Sequence, residues 1–478
     1  MSEIKQISLS EPQIFILESG KEINLFEAGV GSGKTHLAGI ISYRFVEHFP
    51  QVKGFIGANT YDQLNTSTLF RIREVWKEYF GLYEDVHYVV GKQPPAHFKQ
   101  DNHNFDSYNN IISFVNGAIV FKGSLENAKS HDGKEFAWAI LDETKDTREE
   151  DVKEIILARL REQGIIVNGK PFNPLYITTS PAKVEWLNKW FNLDEYEHEI
   201  LKSIFSKTEF FKKEFSDKCI AISSTYHNDA NLPPGYIEKI LNNNTKENAE
   251  RLIYANPFSR TGGEFYSSFN RQSHSGNVPY LPDVAVHLTF DQNVVPYVTM
   301  CCWQVIKDGN ILELRQFNEF CLSNPKNSTE KVCEEFKRKY DGLVENIFYY
   351  GDPSGKKQDT RGKENDYDIV RRVLRKMLNN SSDRTTRAYP GVIKRRDFIN
   401  NIFDGRYEVK IIIDRDNCPN SITDYVYLKQ DRDGKKLKEI VKDKVTGQKY
   451  EKYGHTSDAN DYFITKLLEP EFDQFDNR

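Results

Sequence analysis

No apolar run in the 478 residues approaches the length a membrane-spanning helix needs. The opening MSEIKQISLSEPQ has neither the basic start nor the apolar stretch of a secretory leader, so neither export nor a membrane anchor is expected. Cysteine is sparse, with six residues scattered over the whole length. Cys301 and Cys302 are adjacent and Cys321 and Cys333 widely spaced, which builds neither a disulfide ladder nor a CxxC metal knuckle. Reduced thiols in a cytosolic protein are expected. Positive charge is not in excess either: the formal net charge is -5, which argues against a protein that coats nucleic acid by bulk charge. Local clusters such as Lys394, Arg395 and Arg396, or Lys435, Lys436 and Lys438, are basic tracks or simply solvated surface. No internal repeat is visible.

The length exceeds one typical core and predicts two domains, with aromatic residues at 13% to fill them. Short apolar strands alternate with helical stretches in the first half. Ile23 to Glu27, Gly54 to Gly57, Phe136 to Leu141 and Leu175 to Thr178 read as strands, and Ile111 to Val115 with Ala118 to Phe121 as a hairpin turning at Asn116-Gly117. His36 to Phe49 and Leu69 to Tyr79 read as helices. Such alternation predicts a mostly parallel sheet covered on both faces, an α/β fold. After Asn231-Leu232-Pro233-Pro234-Gly235 a helix from Tyr236 and an irregular linker are expected, with the domain boundary near residue 265. Strands resume over Val284 to Phe290, Tyr297 to Ile306, Ile311 to Phe317, Asn346 to Tyr350 and Ile411 to Ile413. Tyr425 to Tyr450 reads as an exposed hairpin with turns at Asp433-Gly434 and Thr446-Gly447, and Ser457 to Leu468 as a closing helix.

Ala28 to Thr35 reads AGVGSGKT between a strand and a helix. A phosphate-binding loop needs glycines so that successive N–H groups turn onto phosphate oxygens, a lysine for the β/γ-phosphates and a hydroxyl for Mg2+. Gly31, Ser32, Gly33, Lys34 and Thr35 supply these parts, with Ala28 where the first glycine usually stands. The apolar strand FAWAIL delivers Asp142 to the magnesium side of a bound ATP and Glu143 to polarise the attacking water. Thr178, Thr179 and Ser180 end the next strand and suit either a γ-phosphate sensor or a helix cap. Gln13 is a candidate for reading the adenine edge, or simply a solvated glutamine.

In the second half, Asp291 and Asp352 each end a strand, and Asp458 starts the last helix one turn after His455. Each alone suits a turn or a cap. Together they suit a site for two divalent ions about 4 Å apart, in which one activates water and the other stabilises the leaving oxygen of a phosphodiester. His455 is an added ligand or proton donor, Glu319 a fourth possible carboxylate, and Asp461 a local alternative to Asp458.

The ordered set AGVGSGKT, AILDE, YITTSP, TYHNDANLPPGYIEKI, GGEFYSSF, TFDQN, YYGDPSG and HTSDANDY resembles the large subunit of tailed-bacteriophage terminases over nearly the whole chain. The resemblance implies an N-terminal P-loop ATPase of the additional-strand type (1–235), a connecting segment (236–280) and an RNase H-like nuclease (281–478). It implies ATP and Mg2+ at Gln13, Gly31, Ser32, Gly33, Lys34, Thr35, Asp142 and Thr179, with Glu143 catalytic. It implies Mg2+ or Mn2+, two ions, at Asp291, Asp352, Asp458 and His455. Double-stranded DNA, a small terminase subunit and the procapsid portal protein are the implied partners, with no membrane. A homo-oligomeric ring in the cytoplasm of the infected host, transiently at the portal, would be the working form. Two features depart from the family: Val30 stands where many relatives carry arginine, and Lys129, Asp132 and Lys134 stand where a trans-acting arginine often precedes the acidic strand. Arg159 or Arg161 is the substitute on offer, against the plainer reading of both as an amphipathic helix surface. The alternative reading keeps the ATPase but makes the second half a non-catalytic DNA- or portal-binding domain.

Overall fold

The computed structural model describes residues 7–475 apart from 182–183, 345, 357–363, 387, 389 and 443–446. The chain divides into two compact units, Met1–Thr261 and Gly262–Arg478. Residues 236–280, expected as a connecting segment, are shared between them: the helices Tyr236–Asn242 and Lys246–Leu252 lie in the first unit, and Phe265, Tyr266 and Phe269 join the core of the second.

The first unit holds β1 (Ile23–Ala28), β2 (Lys53–Ala58), β3 (Tyr88–Val90), β4 (Ile111–Phe114), β5 (Ile119–Ser124), β6 (Trp138–Asp142), a small hairpin of β7 (Ile166–Val167) and β8 (Lys170–Pro171), then β9 (Leu175–Thr179), β10 (Phe211–Glu214) and β11 (Lys218–Ser223). Nine of these form one sheet in the order β10-β11-β1-β9-β6-β2-β5-β4-β3. From β11 to β5 all pairs are parallel, and antiparallel strands close both edges. Both faces are covered, as the continuous apolar strands require. One core packs Phe26, Ile56 and Ile140 under the helices Lys34–His48 and Leu69–Phe80; the other packs Leu25, Phe55, Leu141 and Ile177 with Ile200 and Ile204 of the helix Glu197–Phe205. The parallel strands β1, β6 and β9 lie side by side, so their C-terminal ends bring Ala28, Asp142 and Thr179 to one edge.

The second unit adds β12 (Ser275–Gly276), β13 (Val286–Asp291), β14 (Tyr297–Asp308), β15 (Ile311–Ser323), β16 (Ile347–Gly351), β17 (Leu378–Asp383) and β18 (Val409–Asp414), with a separate hairpin of β19 (Ile440–Lys442) and β20 (Lys449–Glu451). Its sheet runs β12-β18-β15-β14-β13-β16-β17, with β13, β14 and β15 an antiparallel meander and β16 and β17 parallel to β13. The order third-second-first-fourth-fifth is the RNase H-like arrangement. The helix His455–Leu467 packs over β13, β14 and β16, fixed by Thr289 Oγ1 to Ala459 O (2.5 Å) and Trp303 Nε1 to Asn460 Oδ1 (2.9 Å).

Two sequence expectations change here. Tyr425 opens no hairpin: it lies in the helix Pro419–Tyr427, 1% exposed and stacked on Phe269, because an aromatic at helical spacing with Ile422 serves the core. The hairpin shrinks to β19 and β20, and of its turn Thr446 lies outside the described residues. Glu319 lies inside β15 rather than beyond it.

Candidate functional site

In the first unit, Gly31 (φ 77°) and Gly33 (φ 76°) take left-handed backbone that side-chain-bearing residues resist, which lets AGVGSGKT fold over the start of the Lys34–His48 helix. A β-carbon on Gly33 would meet Gln13 Nε2 at 2.5 Å. The Gln13 amide donates to Gly33 O (3.0 Å) and Ser32 O (3.4 Å), and its oxygen accepts from Ser10 N (2.9 Å). Gln13 therefore holds the first helix onto the loop. The Ser32 hydroxyl is buried without a partner, a polar group aimed at nothing the protein supplies.

Lys34 is 7% exposed, and its ammonium donates to Ala28 O and Gly29 O (3.0 Å each) and lies 3.8 Å from Glu143 Oε1. Burial pushes its pKa down, against the pull of Glu143 and Asp142. Asp142, 1% exposed, accepts from Thr35 Oγ1 (3.0 Å), Thr68 Oγ1 (2.8 Å) and Thr178 Oγ1 (2.6 Å). Burial raises its pKa and those hydroxyls restrain the rise. Glu143 sits at φ 52°, a left-handed position that costs a non-glycine residue about 1–2 kcal/mol. Its carboxylate accepts from Ser180 Oγ (3.0 Å) and Ser180 N (3.3 Å). Strand alternation divides the polar strand end: Thr178 faces Asp142, whereas Thr179 donates to Ser180 O (3.2 Å). The neighbouring Thr35 hydroxyl and Asp142 carboxylate suit a magnesium ion, and the unpartnered Ser32 hydroxyl suits a phosphate.

Several residues that brace this site carried no assigned role in the sequence. Thr68 ends a wide helical turn, Leu64–Thr68, and only tertiary folding brings it to Asp142. Thr225 Oγ1 donates to Val30 O (2.8 Å), Asn228 Nδ2 to Gly31 O (2.6 Å), and Val30 N to Leu252 O (2.7 Å). Val30 thus gives its backbone to the scaffold. Glu27, one residue before the loop, is 4% exposed with one carboxylate oxygen unpartnered, and burial raises its pKa to about 8 against the attraction of Lys34. Arg159 is ion-paired to Asp132 and Arg161 to Glu135 within the same unit.

In the second unit, β13 and β16 pair in parallel with Phe290 opposite Gly351, so Asp291 and Asp352 emerge at neighbouring strand ends. His455 Nδ1 lies 3.3 Å from Asp291 Oδ2. Burial works against a charged imidazole, but the Asp291 carboxylate pushes His455 up to about 9. Asp352 Oδ1 accepts from Ser354 N (2.6 Å). Asp458 is differently engaged: Lys436 Nζ is 2.9 Å from its Oδ1. Burial would raise the Asp458 pKa, yet Lys436 and Arg395 hold it below the usual carboxylate range. Among the described residues, no three His, Cys, Asp or Glu side chains stand close enough to hold a metal ion. The acids are gathered on one edge but, with Lys436 on Asp458, they do not fit two ions as they stand.

Glu319 is engaged elsewhere: it accepts from Asn420 N (2.6 Å), Ser421 N (3.0 Å) and Ser421 Oγ (2.6 Å) at the start of the Pro419–Tyr427 helix, and burial raises its pKa to about 7 against those hydrogen bonds. Asp461 is fully buried and accepts from Tyr266 OH (2.7 Å). Asp424, overlooked in the sequence, caps the helix that carries His455 and Asp458 by accepting from Gly454 N (2.9 Å), Thr456 Oγ1 (2.7 Å) and Ser457 N (3.0 Å).

A family model described as "Terminase large subunit, T4likevirus-type, N-terminal" matches residues 25–273. Among solved structures, the large terminase of a thermophilic bacteriophage is 14% identical, covering 97% of this chain and 100% of that one, with a TM-score of 0.38. The HK97 bacteriophage large terminase is 13% identical over 98% of this chain and 96% of that one, with a TM-score of 0.42. The nuclease domain of the bacteriophage SPP1 large terminase, with bound Mn, is 15% identical over 38% of this chain and 86% of that one, with a TM-score of 0.25. No curated protein matches the sequence. The family match spans more than half the chain and carries the loop, the acidic strand and the polar strand end described above; the protein belongs to the terminase large subunit family.

Proposed function

We propose that this chain is an ATP-driven motor that moves double-stranded DNA into a procapsid and cuts the concatemeric genome. The observation that carries the reading is the meeting of Lys34, Asp142 and Glu143 at the end of β1, β6 and β9 in a chain of this family. Thr35 and Asp142 would hold magnesium, which supplies charge neutralisation on the β- and γ-phosphates. Lys34 leaves the Ala28 and Gly29 carbonyls for those phosphates, which also frees Glu143 of its counter-ion. Glu143 then polarises water. The same carboxylate holds Ser180 at the end of β9, so its movement pulls on that strand and couples hydrolysis to motion. Gln13 releases the loop carbonyls to meet the adenine edge.

The cutting activity is assigned to the second unit, where Asp291, Asp352, Asp458 and His455 would hold Mg2+ or Mn2+ only in an arrangement that frees Asp458 from Lys436. The small terminase subunit and the portal protein are the proposed partners, a homo-oligomeric ring on the portal the working form, and the infected host's cytoplasm the place. Packaging reactions with purified procapsids test the motor: Glu143→Gln should leave DNA unprotected from DNase. Full protection by that variant would sink the reading. Plasmid cleavage with Mn2+ tests the nuclease, and undiminished cutting by Asp291→Asn would make the second unit a binding domain.

A further inference from the structure

The turn that precedes the β19–β20 hairpin carries a cation into the acids of the second unit. Asp431 N donates to Lys435 O (2.7 Å), and Gly434 N to Asp431 O (3.1 Å), while Gln430 and Lys436 form a bridge pair. Arg396 clamps this turn, donating to Gln430 Oε1 and Gly434 O at 2.7 Å each. From it Lys436 reaches inward. Its ammonium is 2.9 Å from Asp458 Oδ1, 2.9 Å from Ser457 Oγ and 3.2 Å from Asp461 Oδ2, and lies 5.3 Å and 5.4 Å from the ring centres of Phe265 and Tyr266. Arg395, 4% exposed, stands 3.6 Å from Asp458 Oδ1 and 4.0 Å from Asp461 Oδ2. Two fixed cations already balance these two carboxylates, so a divalent ion arriving at Asp458 meets repulsion rather than an open anionic ligand.

The stem of the same turn is paired with the segment that opens the second unit. Phe265 N donates to Leu428 O (2.9 Å), Gln430 N donates to Gly263 O (2.7 Å), and Glu264 bridges Lys429 in antiparallel fashion. Tyr266, the next residue, donates its hydroxyl to Asp461. Position along residues 263–266 is thereby transmitted to residues 428–436 by backbone pairing, and to Lys436 at the end of that short path.

We propose that Lys436 is a removable internal counter-ion that closes Asp458 to divalent cations, and that the pairing of residues 263–265 with 428–430 keeps it in place. The inference rests on the nuclease reading of Asp291, Asp352 and Asp458, and supplies the reason their present arrangement does not suit two ions. Displacing residues 263–265 withdraws the turn and leaves the half-buried Asp458 carboxylate without the Lys436 ammonium.

Calorimetric titration of Mn2+ into the full-length protein tests this, with melting curves as a check on folding. Lys436→Gln should bind Mn2+ on the order of tenfold more tightly than the wild type, because a neutral amide does not compete for the carboxylate. Lys436→Arg should bind as the wild type does, and Asp458→Asn added to Lys436→Gln should remove the gain. Gly263→Val, which forces a β-branched residue into a left-handed position (φ 76°), should loosen the pairing and shift affinity in the same direction. Equal Mn2+ affinity in wild type and Lys436→Gln overturns the proposal. A gain in Lys436→Gln without one in Gly263→Val overturns the role of the pairing. Plasmid cleavage by Asp291→Asn separately judges the nuclease reading, so the two can fail independently.

Discussion

The Lys34 ammonium stands 3.8 Å from the Glu143 carboxylate, so the cation expected at the phosphates and the anion expected at the water are each other's counter-ions. Lys34→Ala should therefore remove phosphate contact and lower kcat/KM for ATP by at least about a hundredfold. Glu143→Gln should keep nucleotide affinity and lower kcat by about 10²–10⁴-fold. Steady-state hydrolysis together with fluorescent-nucleotide binding separates the two. A Glu143→Gln variant that loses binding but hydrolyses normally when saturated would reverse their roles.

Gly29 is needed for space. A β-carbon there would lie 2.3 Å from Thr225 Oγ1, 2.7 Å from Ile253 O and 2.8 Å from Leu252 O. Two of those atoms are backbone and cannot swing aside. Gly29→Ala should cost about 1–3 kcal/mol of stability and weaken nucleotide binding, since the strap at Leu252 and Ile253 has to move. Denaturant titration and nucleotide affinity check both effects.

Glu27 ties stability to pH. In the unfolded chain it ionises near 4.5, and in the fold burial holds it near 8. The folded state favours the protonated form, so this contribution is complete below the unfolded value and declines as pH rises toward about 8. Glu27→Gln, which has no proton to lose, should match the wild type at about pH 5 and exceed it by a few kcal/mol, as an order of magnitude, at about pH 8.5. Melting curves that stay parallel across this range would show that Glu27 does not titrate in the fold.

Asp424 positions Asp458 and His455 through the helix N-terminus. Asp424→Ala strands two backbone N–H groups and the Thr456 hydroxyl, and should cost about 3 kcal/mol. Asp424→Asn keeps an acceptor and should cost less. Plasmid cleavage should fall in the same order while ATP hydrolysis stays unchanged. Equal cleavage by all three proteins would remove Asp424 from the site's support.

The legible parts of this fold are those that local physics determines. AGVGSGKT needs Gly31 and Gly33 at left-handed positions, and FAWAILD ends a strand buried on both faces, so both announce their neighbours. β13, β14 and β15 were visible as apolar runs separated by turns. The strand β11, second from one edge, was missed because its apolar run Cys219 to Ile222 is short and flanked by polar residues, and β10, Phe-Lys-Lys-Glu, is an edge strand that buries only Phe211. Thr68, Asn228 and Asp424 matter through partners 74, 197 and 30 to 33 positions away, a separation that leaves no local pattern. Lys436 looked like part of a solvated basic run until the fold placed its ammonium on Asp458.

Asp142 is the junction of three separate pieces of chain: the loop's helix through Thr35, the Leu64–Thr68 turn through Thr68, and β9 through Thr178. Any change at that carboxylate is announced to all three at once. The arrangement works as a roll-call rather than a relay, with no order in which one element hears of the nucleotide before another. Thr68→Val or Thr178→Val should leave the other contacts answering while that one segment falls silent, so ATP would still be hydrolysed with a voice missing, whereas Thr35→Val should also remove a hydroxyl proposed for magnesium.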